Sequence, residues 1–160
     1  MIPLGHLLPI IEQTLSEGRT VRFTPEGVSM RPMLKGGRDS VELAPLPPQL
    51  HRYDAVLYRR DNGQFVLHRI ISVQNGAYIC MGDAQFVPEQ VRPEQMLAAV
   101  RSFTRRGKPI SADSPGYRLY CRLWCGTRQV RHFICRGFGW LRRRLRHGNS
   151  AISKEKQNHE

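Results

Sequence analysis

The sequence predicts an all-β domain, mainly antiparallel, with a short N-terminal helix and a basic helical arm towards its C-terminal end. Two observations carry this. Asn62-Gly63 and Asn75-Gly76 are two-residue turns whose backbone suits the right-handed twist of paired strands, and each lies between apolar, strand-forming runs. The hydrophobic period also changes along the chain: Leu4, Leu7, Leu8, Ile11 and Leu15 recur at three and four residues, whereas Thr20-Val21-Arg22-Phe23-Thr24 alternates.

The first pattern predicts a helix from Leu4 to Leu15, closed by Gly18 and lying on the domain. The alternating run predicts a strand that ends at Pro25-Glu26-Gly27 and delivers the chain into Gly27-Val28-Ser29-Met30. Gly36-Gly37 reads as a turn, Ser40 to Ala44 as a strand, and Pro45, Pro47 and Pro48 as a loop that neither a helix nor an inner strand would accept. The two Asn-Gly turns then join three consecutive strands, about Asp54 to Arg60, Gln64 to Val73 and Ala77 to Met81. The middle one carries Val66, His68 and Ile70 on one side and Phe65, Leu67 and Ile71 on the other, so it should be covered on both faces, with His68 enclosed and Arg69 pointing away from it. Met96 to Phe103 is a further expected strand, and Arg105-Arg106-Gly107-Lys108 an exposed turn near the end of the globular part.

A chain of 160 residues has room for one compact domain with extensions. Its 25 basic and 13 acidic residues give a formal charge of +12, which favours anionic partners. The excess is local. Residues 1–113 carry +3, residues 114–147 hold nine Arg and no acid, and residues 148–160 are neutral. The expected organisation is therefore a domain over 1–113, an Arg-rich amphipathic arm over 114–147 and a polar, disordered tail over 148–160. In the arm, Leu119, Leu123, Val130, Phe133, Ile134, Phe138, Leu141 and Leu145 fall mostly at helical spacing, which suits a helix lying in a membrane interface. Arg118, Arg122, Arg142, Arg143 and Arg144 would then meet an anionic leaflet, each worth about 1 kcal/mol. Nucleic acid ranks below that partner, because no helix-turn-helix or stacking platform accompanies the charge.

No uncharged run reaches the ~18 residues a spanning helix needs, and the N-terminal stretch lacks the basic flank of an export signal. The expected location is cytoplasmic, peripheral on the inner face of the membrane. Cys80, Cys121, Cys125 and Cys135 make neither a disulfide framework nor a tight zinc spacing, so reduced thiols and no metal or other cofactor are expected.

Three short patterns bear on chemistry: Gly27-Val28-Ser29-Met30-Arg31-Pro32-Met33-Leu34, then Val66-Leu67-His68-Arg69-Ile70, then Gly82-Asp83. Each alone is weak, since a lone His on a buried strand is more often a satisfied core residue. Together, in this order and within a meander of strands, they are specific. The chain here resembles the signal peptidase I superfamily of serine peptidases, which includes the LexA-like self-cleaving proteins. The Ser29 box is similar to the nucleophile motif, and the His68-Arg69 pair is similar to the general-base box of the endoplasmic-reticulum and archaeal type. Gly82-Asp83 is similar to the box whose Asp supports the active site. The resemblance spans roughly residues 20–103 and implies a signal-peptidase/LexA-like β fold with the nucleophile on a turn at the sheet edge. Two departures stand out: the spanning helix typical of signal peptidases is absent, and the second Asp of the endoplasmic-reticulum type has only Glu89 in its neighbourhood.

Elementary chemistry assigns the same roles. A serine hydroxyl needs a base within hydrogen-bonding reach, and an imidazole accepts that proton and returns it to the leaving amine. Ser29 would attack, His68 would shuttle the proton, and Asp83 would fix the tautomer through the other ring nitrogen, unless it merely forms a turn after Gly82. The Ser29 N–H would stabilise the oxyanion in part; Gly27 has no side chain to donate, so the second donor is unassigned. Gly27 and Pro32 would bracket the nucleophile on a fixed turn, or serve as ordinary turn residues. Met30 and Met33 would line a shallow apolar pocket or fill the core.

The expected activity is therefore that of a serine endopeptidase acting on an extended precursor or leader peptide. The alternatives are a non-hydrolytic peptide-binding scaffold of the same fold and a self-cleaving LexA-like regulator; about 18 residues before the first strand are too few for a DNA-reading domain.

Overall fold

The computed structural model describes residues 4–133. Helix α1 (Leu4–Ser16) is followed by strands β1 (Val21–Phe23), β2 (Ser40–Ala44), β3 (Ala55–Arg59), β4 (Phe65–Gln74), β5 (Ala77–Met81) and β6 (Glu89–Val91). A short 3-10 turn leads into β7 (Met96–Arg105), β8 (Lys108–Ser111) and helix α2 (Pro115–Gly126). The eight strands form one sheet in the order β1-β2-β7-β3-β4-β5-β6, with β8 also on β7, and every pairing is antiparallel.

Strand alternation distributes side chains to two cores. On one face, Val41, Leu43, Leu57, Leu67, Ala98 and Phe103 pack with Ile11 and Leu15 of α1 and with Tyr117 and Cys121 of α2. On the other, Val56, Tyr58, Ile70, Cys80, Val91 and Met96 pack together. Each fully buried aliphatic side chain contributes roughly 1.5–3 kcal/mol, so burial of Ile11 and Leu15 favours α1 on this face. The two-sided burial expected of the middle strand is found: Leu67 lies in the first core and Ile70 in the second.

Two strands lie outside the expected set, and one expected boundary is corrected. The exposed turn expected at Arg106-Gly107 is found, both residues having positive φ as a tight hairpin requires, and it leads into β8, a strand the pattern did not show. β6 and β8 escaped the pattern because they are short and flanked or interrupted by Pro88 and Pro109. The start of the arm belongs to the domain. Pro115 opens α2, Ser114 Oγ accepts from the Tyr117 N–H at 3.4 Å, and Tyr117 and Cys121 are buried. The chain accordingly divides after Cys125, into units over 1–125 and 126–160, rather than at residue 113. Of the second unit, residues 126–133 are described, helical over 128–133. The rest of the arm, with Arg142, Arg143 and Arg144, and the 148–160 tail lie outside the described residues. Among the described residues no helix is long and apolar enough to cross a membrane.

Candidate functional site

The Ser29 turn is held by its own apolar residues. Met30, Met33 and Leu34 are buried in the first core, and the Leu34 N–H donates to the Met30 carbonyl at 2.9 Å, leaving Ser29 half-buried. Met33 is thus core, whereas Met30 is both core and cavity wall. Gly27 has φ +92, and a Cβ on Gly36 would lie 2.3 Å from the Gly27 carbonyl oxygen, so the two backbones pack directly. The 35–39 loop behind them is fixed by buried Asp39, whose carboxylate accepts from the Lys35 N–H at 2.9 Å and the Arg106 N–H at 3.2 Å. Arg38, bonded to Asp39, holds that carboxyl well below the usual carboxylate range. Pro32 is exposed on the far part of the turn.

His68 sits on β4 opposite Val56 of β3, while β5 joins β4 only from Arg69 onward. Residues 65–68 therefore have β3 on one side only among the described strands, and they border a cavity of about 760 Å3. Ser29, Met30 and Gln85 line the same cavity as His68, together with Glu26 and Arg60.

The imidazole is 1% exposed, with Nδ1 3.0 Å from the Tyr58 hydroxyl and 3.4 Å from Glu89 Oε1. Arg60 grips Glu89 through Nε at 2.6 Å from Oε2 and through Nη2 on Oε1, and this pairing holds the carboxyl below its ordinary range. Burial raises the Tyr58 phenol, which therefore stays protonated. An ionised carboxylate accepts only, so with Glu89 Oε1 3.4 Å from Nδ1 the ring carries its proton on that nitrogen, and the Tyr58 hydroxyl accepts from Nδ1–H. That tautomer leaves Nε2 unprotonated, with its lone pair able to accept a proton. Burial also brings the His68 pKa down to about 4, with Glu89 opposing and Arg60 assisting. At neutral pH His68 is thus an uncharged base with a carboxylate behind it.

Gly82-Asp83 presses against the Ser29 turn. The Ala84 N–H donates to the Ser29 carbonyl at 2.8 Å, and a Cβ on Gly82 would fall 2.6 Å from that oxygen and 3.0 Å from Ser29 Cβ. The hydrogen bond predicted between Asp83 and the imidazole is corrected: Arg69 donates to Oδ1 through Nε and to Oδ2 through Nη2, both at 2.7 Å, with both side chains buried. The reason is strand alternation, which sends Arg69 to the face opposite His68, where a buried guanidinium requires a carboxylate. Arg69 Nη1 also donates to the Tyr53 carbonyl, the Tyr117 hydroxyl and Cys121 Sγ, at 2.9, 2.7 and 3.0 Å, and Trp124 Nε1 donates to the Asp83 carbonyl at 2.9 Å. α2 and β4 together thereby hold the loop that backs Ser29.

Sequence reasoning left Glu89 open and missed Tyr58 and Arg60. The available signal was register: Tyr58 and Arg60 lie two and four positions past Val56, the residue opposite His68. Arg118 and Arg122 are exposed on α2, where Arg118 pairs with Asp113 at 2.8 Å. Among the described residues no group of His, Cys, Asp and Glu is placed to hold a metal ion.

No protein-family model matches the chain, and no curated protein is similar to it at a significant level.

Proposed function

We propose that the protein is a serine endopeptidase of the signal-peptidase-like type, cleaving an extended peptide laid beside the bare edge of β4. The single observation that carries this is that Ser29 and His68 line one open cavity, with His68 Nδ1 engaged by Tyr58 and Nε2 left for a proton. Ser29 Oγ attacks the scissile carbonyl while Nε2 takes its proton; the imidazolium so formed has Glu89 3.4 Å from Nδ1. The proton then passes to the leaving amine, and water hydrolyses the acyl-Ser29 ester by the same route. Asp83 is a positioning residue here, acting on Ser29 through the Gly82-Ala84 backbone. The antiparallel sheet and the order of the three motifs support a signal-peptidase/LexA-like arrangement.

The test is acylation by an activated ester of an N-acyl alanine. Mass spectrometry should locate the acyl group on Ser29 in the wild type and find none in Ser29→Ala or His68→Ala. Full turnover by Ser29→Ala removes the mechanism, and peptide binding without any acylation favours a non-hydrolytic scaffold.

We further propose a peripheral contact with an anionic membrane through α2, supported by exposed Leu119 and Leu123, at 56% and 60%, beside Arg118 and Arg122. Because Tyr117 and Cys121 belong to the core, charge reversal tests this better than truncation. Arg118→Glu/Arg122→Glu should weaken co-sedimentation with phosphatidylglycerol vesicles, and equal binding rejects it.

A further inference from the structure

The peptidase reading leaves a gap in the oxyanion site. The Ser29 N–H is one donor, and Gly27 provides no side chain for another. The polar groups of the cavity are few: Glu26 accepts only, Arg60 is taken by Glu89, His68 is the base, and Thr24 is exposed to solvent. Gln85 is different. It lines the cavity, is half-buried, and its carboxamide has no hydrogen bond among the described residues.

Its place is fixed by the backbone around it. The Gln85 N–H donates to the Gly82 carbonyl at 2.9 Å, and the next N–H back, that of Ala84, donates to the Ser29 carbonyl at 2.8 Å. The point where Gly82 lacks a Cβ lies 2.9 Å from Gln85 Oε1 and 3.0 Å from Ser29 Cβ. The amide and the nucleophile's side chain therefore converge on one spot, no further apart than those two distances combined, with nothing from Gly82 between them. Rotation about the terminal torsion exchanges Oε1 and Nε2, so the same position presents an N–H when an anion develops there.

We propose that Gln85 is a further catalytic residue, its Nε2–H serving with the Ser29 N–H as the oxyanion donor pair. This rests on the peptidase reading of the cavity. As the Ser29 Oγ–C bond forms, the carbonyl π pair moves onto oxygen and the hydroxyl proton goes to His68 Nε2. The two N–H groups hold that oxygen until the pair returns, the C–N bond breaks and the proton leaves with the amine. Among the cavity's own groups this also accounts for Gly82: a side chain there would separate the donor from the nucleophile.

The experiment measures Ser29 acylation by an N-acyl-alanine p-nitrophenyl ester in wild type, Gln85→Leu and Gln85→Asn, with melting temperatures taken alongside. Gln85→Leu should lose roughly 10²–10³-fold in the acylation rate with little change in KM and an unchanged melting temperature. A peptide aldehyde, whose hemiacetal oxygen occupies the same place, should bind correspondingly more weakly, while an uncleaved peptide amide binds alike. Gln85→Asn, which keeps the amide but shortens its reach, should fall between. Wild-type acylation with Gln85→Leu unimpaired overturns the inference alone. Failure of the wild type to acylate Ser29 overturns the peptidase reading and this inference with it.

Discussion

Asp83→Asn separates a structural from a chemical role for this carboxylate. In the native protein both its oxygens accept from Arg69 at 2.7 Å, and the two side chains are 1% and 0% exposed. Asparagine keeps one acceptor but turns an N–H towards the guanidinium, leaving a buried cation whose counter-charge is gone. Removing one partner of such a pair costs about 3–5 kcal/mol, because the remaining charge is neither solvated nor compensated. For a domain of this size that is a fall in Tm on the order of 10–20 °C. Urea unfolding followed by tryptophan fluorescence reads it directly, since Trp124 is bonded to the Asp83 carbonyl. Arg69→Met/Asp83→Leu removes both charges together and should recover a large part of the loss, giving a strong coupling in the double-mutant cycle. Should Asp83→Asn unfold at the wild-type urea concentration and yet abolish Ser29 acylation, Asp83 acts on the imidazole chemically and the positioning role is wrong.

Three further outcomes follow from the same geometry. Because burial brings His68 down to about 4 from an ordinary 6.5, the acid limb of acylation should fall near pH 4, where Nε2 gains its proton, and Glu89→Gln should move it lower still; NMR titration of His68 with a midpoint near 6.5 contradicts this. The unfolded chain takes up that proton from about pH 6.5 downward, so the contribution of neutral His68 to stability is present above that pH and is lost progressively towards 4, by roughly 3 kcal/mol in a urea series. Gly82→Ala places a carbon 2.6 Å from the Ser29 carbonyl oxygen, a backbone atom that cannot swing aside. It should abolish acylation through displacement of the nucleophile turn, and wild-type acylation rates would exclude the close approach.

What was legible in the sequence was what local patterns determine. Helix α1 declared itself through its apolar spacing, β2 and β5 match their expected bounds residue for residue, and the Asn-Gly turns placed β3 to β5 in order. The opposite orientation of His68 and Arg69 followed from strand period alone. Less legible was anything set by partners distant in sequence. Glu89 reaches the imidazole because β6 pairs with β5 and Arg60 pulls its carboxylate inward, 29 residues away along the chain. Asp83 was assigned to the imidazole because a triad requires a carboxylate there; the competing demand of Arg69, whose Nη1 also bonds Tyr117 and Cys121 on α2, was invisible until the helix was in place. The arm was separated from the domain on charge, yet charge marks only its outer side, while Tyr117 and Cys121 turn inward.

The central claim is that Ser29 and His68 cooperate to break peptide bonds. The most direct measurement is to incubate the full chain with a library of extended peptides and map every new terminus by mass spectrometry, in parallel with Ser29→Ala. New termini that cluster at a defined sequence in the wild type and vanish in the variant are the predicted result. Digests that cannot be told apart contradict it.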